Sequence, residues 1–172
     1  MTATMRQMKT PQDLGYINPS EDDSHLGVAV ICRDGDEERE YLVMEYDSGD
    51  GVQIKFPAGT NNDRPGELIF DTCLRETEEE TDLILPNPSE CVWVGPRQKN
   101  RDKPGFHQKV AFISRFEDCG GQLRTEEKKD DDGDKHSPPF WRTESELLVQ
   151  VEDGGLFWSH RPILHAAKMH QF

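Results

Sequence analysis

The chain has 172 residues, 33% hydrophobic and 31% charged, with a formal net charge of -14, a length that suits one domain with a substantial buried core. So acidic a surface repels polyanions, which counts against long nucleic acid or anionic membranes as partners. A small phosphorylated substrate stays compatible where divalent cations invert the local potential. No apolar run approaches the ~20 residues that cross a bilayer, and Met1 to Thr10 lacks an apolar signal core, so a cytoplasmic protein without a membrane partner is expected.

In chain order, residues 1–25 carry Pro11, Pro19 and Glu21-Asp22-Asp23 and read as a lead-in segment ahead of a single domain over 26–172. Leu26 to Cys32 is apolar and β-branched; the charged turn Arg33 to Arg39 and the run Tyr41 to Met44 complete an expected antiparallel hairpin. Val52 to Phe56 predicts another strand, which Pro57 and Gly59 end. From Glu67 to Thr81 the spacing of Ile69, Cys73 and Thr77 predicts a helix with one buried stripe. Pro86 and Pro88 stop that element, and Cys91 to Val94 and Lys109 to Phe116 read as strands joined by a basic link, Gly95 to His107. Residues 117–137 form a hydrophilic, acidic loop insertion. Asp130, Asp132 and Gly133 faintly suggest a calcium loop, but Lys128 and Pro139 occupy the positions of its first and last acidic ligands. Pro162 to Met169 predicts a final helix. The sum is an α+β fold. Cys32, Cys73, Cys91 and Cys119 are scattered singly and read as reduced thiols.

On the predicted helix Glu76, Glu79 and Glu80 fall at i, i+3 and i+4, so three carboxylates share one face. Such a cluster is costly unless neutralised, and a hard divalent cation that prefers oxygen ligands, Mg²⁺ or Mn²⁺, suits it. The surrounding pattern is Gly59, seven residues, Glu67, seven residues, then Arg75-Glu76-Thr77-Glu78-Glu79-Glu80-Thr81-Asp82-Leu83. This resembles the Nudix box. Glu67, Arg75, Glu76, Glu79, Glu80 and Leu83 match it in type and spacing, the loop from Gly59 to Glu67 is two residues longer, Thr77 replaces an aliphatic residue, and Asp82 stands where the family has glycine. The Thr77 hydroxyl then needs a partner, and Asp82 must tolerate a left-handed backbone.

The resemblance implies an α/β/α sandwich around a mixed sheet, and hydrolysis of a nucleoside diphosphate linked to another moiety. It also implies Glu76, Glu79, Glu80 and the Gly59 carbonyl as metal ligands. Arg75, at i, i+4 to Glu79, is expected to orient that carboxylate. The general base is expected at Glu67 or at a later carboxylate, Glu117, Glu144 or Glu146, with Glu144 or Glu146 favoured among the later ones. Arg97 in the basic link is the preferred phosphate contact, and His107 a stacking or hydrogen-bonding group, each weighed against an ordinary surface or structural role. Trp141 to Leu147 is similar to the Trp-containing strand and Glu-Leu turn near the end of Nudix domains. Phe140, Trp141 and Trp158 could cover a base or simply pack. His160, His165 and His170 recur every five residues, off a single helix face, which argues against a metal pair. Pro96 lies near a proline of ADP-ribose-cleaving members, so a small nucleotide diphosphate of that kind is the favoured partner, and many relatives pair as homodimers. The competing reading is a catalytically weak Nudix-like module that binds nucleotide or regulates a partner.

Overall fold

The computed structural model describes residues 6–17, 19–47, 49, 51–129 and 135–172. In chain order it contains β1 (Ser24–Asp34), β2 (Arg39–Asp47), β3 (Val52–Lys55), β4 (Ala58–Thr60) and α1 (Ile69–Thr81). There follow β5 (Leu83–Ile84), β6 (Glu90–Val94), β7 (Gln98–Lys99), β8 (Phe106–Arg115), β9 (Gly120–Gly121), β10 (Lys128–Lys129) and β11 (Lys135–His136). The chain ends with β12 (Phe140–Thr143), α2 (Glu144–Glu152) and α3 (Arg161–Met169).

The main sheet runs β12-β2-β1-β8-β6, with β3 on β2, β4 on β1 and β7 on β8. Only β1 and β8 pair in parallel among its described ladders, so the sheet is mixed. Central β1 is covered on both faces, which explains its unbroken apolar run. Val28, Val30 and Cys32 join a core with Leu147, Ile163 and Leu164 of α2 and α3, while Ala29 and Ile31 join a second core with Ile69 and Cys73 of α1. Helices thus lie on both faces of the sheet, the expected α/β/α sandwich. Among the described residues no helix is long and apolar enough to cross a membrane. All four cysteines are free thiols, their pKa values pushed up by burial.

The expected hairpin is β1–β2. The first helix begins two residues later than its periodicity suggested, because Leu68 is still extended, which leaves Glu67 just outside it. It ends as the Asp82 substitution requires: Asp82 adopts φ 62° and donates its N–H to the Glu78 carbonyl. Thr77 satisfies its hydroxyl on the Cys73 carbonyl at 2.6 Å. The turn expected after Trp141 is instead α2, opened by a capping box in which Thr143 and Glu146 bond each other's backbone N–H.

Residues 117–129 and 135–137 carry more order than their composition suggested. β9 pairs with β5 and β10 with β11, and Arg124, only 8% exposed, sits against the end of α1. The positions of the calcium comparison, Asp130, Asp132 and Gly133, lie outside the described residues. Of the lead-in, Ser24 and His25 already belong to β1, and Tyr16 is buried in the core beneath α1.

Candidate active site

Two glycines bring α1 close to the sheet. A Cβ on Gly27 would lie 2.9 Å from Cys73 Cβ, and one on Gly59 would lie 2.0 Å from Glu76 Cδ. These strand positions are paired across β1 and β4, so together they form a shallow seat for the helix. Glu76 presses into it, and burial, reinforced by Glu79 and Glu80, pushes its carboxyl above the ordinary glutamate range despite Arg75.

Arg75 is the hub. Its Nε and Nη2 donate to both oxygens of Glu67 at 3.0 Å, its Nη1 to Glu76 at 2.6 Å, and its Nη2 also to the Thr60 carbonyl at 3.0 Å. The contact with Glu79, where the sequence spacing placed its main role, is the longest of the set at 3.4 Å. Arg75 therefore clamps Glu67 first and Glu79 last. The clamp raises the guanidinium pKa and holds the Glu67 carboxyl below its usual range.

Behind Glu67 runs a buried polar chain that sequence reasoning did not anticipate. Thr72 donates its hydroxyl to Glu67 at 2.7 Å and lies 2.6 Å from His25 Nε2, while His25 Nδ1 lies 3.2 Å from the Tyr16 hydroxyl. A hydroxyl has one proton and an ionised carboxylate only accepts, so His25 donates from Nε2 to Thr72 and accepts from Tyr16 at Nδ1. Burial keeps the ring neutral, with its pKa lowered to about 4. Thr72 stands three residues before Arg75, on the helical face of Ile69 and Cys73; that position was the available signal.

Glu80 turns the other way. It accepts from Lys55 Nζ at 3.0 Å and from the Ala58 backbone N–H at 3.0 Å. Glu79 keeps 54% of its side-chain surface exposed, against 14% for Glu67, 17% for Glu76 and 11% for Glu80. At the far end of α1, Arg124 donates to the Glu80 carbonyl and Lys128 to the Glu79 carbonyl at 3.0 Å.

The structure gathers Gly59, Glu67, Arg75, Glu76, Glu79 and Glu80 around one helix, but not the remaining candidates. Arg97 pairs with Asp23 at 3.2 Å and lies over the Phe106 ring. Glu144 accepts from the Tyr41 hydroxyl at 3.3 Å and lies 3.7 Å from Lys168, in the layer opposite α1, while Glu146 caps α2. Glu117 bonds Arg115 at the surface. His107 faces Ser24 at 2.8 Å and lines a separate cavity. His160 accepts from the Phe56 N–H at 3.1 Å, and burial lowers its pKa to about 3.

Whether these residues suit a divalent cation turns on the donors and their environment. Among the described residues no three His, Cys, Asp or Glu side chains stand as a ready-made cage. The donors nonetheless fit in kind. Three carboxylates project from one helix, and Glu76, pressed against Gly59, is charged at a desolvation cost that a cation would relieve.

A mixed sheet between helical layers, with a glutamate-bearing helix seated on a glycine strand, defines the class of Nudix-like α/β/α hydrolases. The NUDIX domain family model matches residues 23–166, and the chain belongs to that family as a Nudix hydrolase. Its fold is similar to the NUDIX domain of Shewanella oneidensis NrtR complexed with ADP ribose, at 18% identity and TM-score 0.56, covering 94% of this chain and 97% of that one. A Nitrosomonas europaea NUDIX hydrolase is similar at 19% identity and TM-score 0.54, covering 85% and 86% of the respective chains. The Caenorhabditis elegans Ap4A hydrolase is similar at 16% identity and TM-score 0.52, covering 84% and 95%. No curated protein matches the sequence.

Proposed function

We propose that this hydrolase cleaves the pyrophosphate bond of a nucleoside diphosphate linked to another moiety, with Mg²⁺ or Mn²⁺, and that an ADP-ribose-like compound is its favoured substrate. The observation that carries the reading is Glu76, buried against Gly59 with Glu79 and Glu80 raising its carboxyl further. A cation bound there supplies charge neutralisation for the diphosphate and a more acidic water. Glu76, Glu79 and Glu80 would hold it, with the Gly59 carbonyl as a further oxygen.

Within that reading the chain's own residues divide the work. Arg75, gripping Glu67 through two bonds and the Thr60 carbonyl, fixes the helix against the loop before it. Glu67, expected as a base, already accepts from Arg75 twice and from Thr72, so it positions Arg75. Glu79, the most exposed of the four carboxylates, takes the proton of the attacking water. The water oxygen bonds to phosphorus, the bridging P–O bond breaks, and the leaving phosphate oxygen keeps the electron pair. The ADP-ribose preference is supported by the ligand of the similar NrtR domain and by Pro96, which lines a cavity with His107. The binding-module reading draws on Glu80, whose oxygens are held by Lys55 and Ala58.

Hydrolysis of ADP-ribose, dinucleoside polyphosphates, nucleotide sugars and nucleoside triphosphates, with and without Mg²⁺ or Mn²⁺, tests both readings. Cation-dependent turnover is expected, falling on the order of 10²-fold or more in Glu79→Gln and sharply in Glu80→Gln. Turnover unchanged in both variants overturns the mechanism. Nucleotide binding without turnover of any substrate establishes the module instead.

A further inference from the structure

The loop from Gly59 to Glu67 is two residues longer than the family pattern, yet both of its ends are held, and His25 takes part in holding each. Its backbone N–H donates to Asn61 Oδ1 at 3.0 Å, where the loop leaves β4. Its ring reaches Glu67 through the Thr72 hydroxyl, where the loop meets α1. Tyr16, His25, Asn61 and Thr72 are all buried, so these bonds are shielded from competition by water.

The order of protons along this chain decides what it does. Thr72 has one proton and two acceptors in reach, Glu67 Oε1 at 2.7 Å and the Leu68 carbonyl at 3.3 Å. The Nε2–H of His25, 2.6 Å away, takes a lone pair of that hydroxyl and leaves its proton to an acceptor, of which the nearer, anionic Glu67 is the stronger. Tyr16 holds His25 in that tautomer by donating to Nδ1. It is delivered by a segment that the sheet grips twice: Lys9 accepts from the Cys91 N–H at 2.9 Å, and the Gln108 amide bonds the Gly15 carbonyl at 3.4 Å and the Ile17 N–H at 3.3 Å. At the other end of the chain, Glu67 occupies Nε and Nη2 of Arg75, which leaves Nη1 for Glu76 and Glu79. A slack Glu67 would let the guanidinium turn more of its N–H donors onto those two carboxylates.

We propose that Tyr16, His25 and Thr72 are positioning residues of the active site: by directing the Thr72 proton onto Glu67 they hold Arg75 toward the lengthened loop, so that Glu76 and Glu79 keep oxygens for a divalent cation. Through Tyr16 the lead-in segment becomes part of that site. None of the three touches a cation ligand; each acts through Glu67 and Arg75. That the cation serves hydrolysis rests on the function proposed above, but the proton order and its effect on cation binding need no turnover.

Nuclear magnetic resonance of the full chain with labelled histidine, in EDTA, should show His25 as the Nε2–H tautomer, its ring proton assigned by loss in His25→Gln. The Nδ1–H tautomer would overturn the proposal, because Thr72 would then donate to His25 and leave Glu67 without its proton. Binding of Mn²⁺ alone, followed by electron paramagnetic resonance of the free ion, tests the consequence. Thr72→Val, equal in size but without the hydroxyl, should weaken it about tenfold, and Thr72→Ser should restore it to within about twofold of wild type. Tyr16→Phe, which keeps the ring and loses the donor, should weaken it about threefold. On any substrate turned over, kcat of Thr72→Val should fall about tenfold with KM within about twofold, since Thr72 touches no substrate. Far-ultraviolet circular dichroism checks the fold of each variant. Wild-type Mn²⁺ affinity in folded Thr72→Val, or an equal loss in Thr72→Ser, would overturn the proposal, and wild-type affinity in Tyr16→Phe would remove the lead-in segment from it. Absence of turnover on every substrate, with the tautomer and the Mn²⁺ affinities as expected, would count against the proposed hydrolysis alone.

Discussion

Around the first half of α1 the bonds run mainly between side chains, whereas at its C-terminal end two cations bind backbone carbonyls. The first region is a closed set: Arg75 neutralises Glu67 and Glu76, Thr72 completes Glu67, and His25 and Tyr16 complete Thr72. The second is open: Arg124 and Lys128 donate to the carbonyls of Glu80 and Glu79, which a helix end leaves without intrahelical partners. In the closed set, removing one member strands a buried charge or donor; in the open one, water can replace the exposed Lys128, though not the buried Arg124. A helix that must carry several carboxylates at fixed positions is therefore rigid where it meets the seat at Gly59 and more tolerant where it leaves it.

The largest expected effect comes from breaking the closed end at its hub. Arg75→Ala leaves Glu67 and Glu76 buried and uncompensated, which should cost about 3–5 kcal/mol of unfolding free energy by urea titration. Arg75→Lys cannot hold both Glu67 oxygens and the Thr60 carbonyl in one plane, so it should recover only part of that loss. Full recovery in the Lys variant would show that charge alone, not the fork geometry, fastens this end.

The next effect is a pH dependence located in the same network. His25 has a folded pKa of about 4 against an ordinary value of 6.5. Between those values the unfolded chain takes up a proton that the fold refuses. The stabilisation is thus complete above pH 6.5 and is lost as pH falls toward 4, by up to about 3 kcal/mol. His160, lowered to about 3 by burial, acts in the same direction. Chemical denaturation of wild type and His25→Gln at about pH 7 and about pH 4.5 should show a smaller acid loss in the variant. Equal losses would place the titration outside the closed end.

These two ends also differed in what could be read before the fold was known. Arg75, Glu76, Glu79 and Glu80 lie within six residues of one helix, so spacing alone gathered them. Glu67 joined them through the box pattern, but its bonding to Arg75 depends on where the helix starts, and the extended Leu68 decided that. Arg124 reaches the helix from a hydrophilic segment whose composition signals solvent, and its approach depends on the β5–β9 pairing, a long-range event without local periodicity. The sheet and its hairpin were legible because β1 is buried on both faces. By contrast α2 was missed although Thr143 and Glu146 carry a capping-box spacing. Arg97 was weighed by its charge in an acidic chain, and its pairing with Asp23, far away in sequence, had no local signal.

Smaller effects probe the open end. Arg124→Ala frees the carbonyls of Glu80, Glu126 and His136 beneath a buried side chain, so a loss of about 2 kcal/mol is expected by thermal denaturation. Lys128→Ala should do least. Its side chain is 44% exposed and its ammonium lies 3.8 Å from Asp82, so solvent already screens it and removal should cost only about 0–1 kcal/mol. Salt separates the two, because raising ionic strength to about 1 M shortens screening to about 3 Å. The difference between wild type and Lys128→Ala should then vanish, while that for Arg124→Ala persists because its bonds are buried. If instead Lys128→Ala costs as much as Arg124→Ala and resists salt, the C-terminal end of α1 is as closed as the N-terminal one.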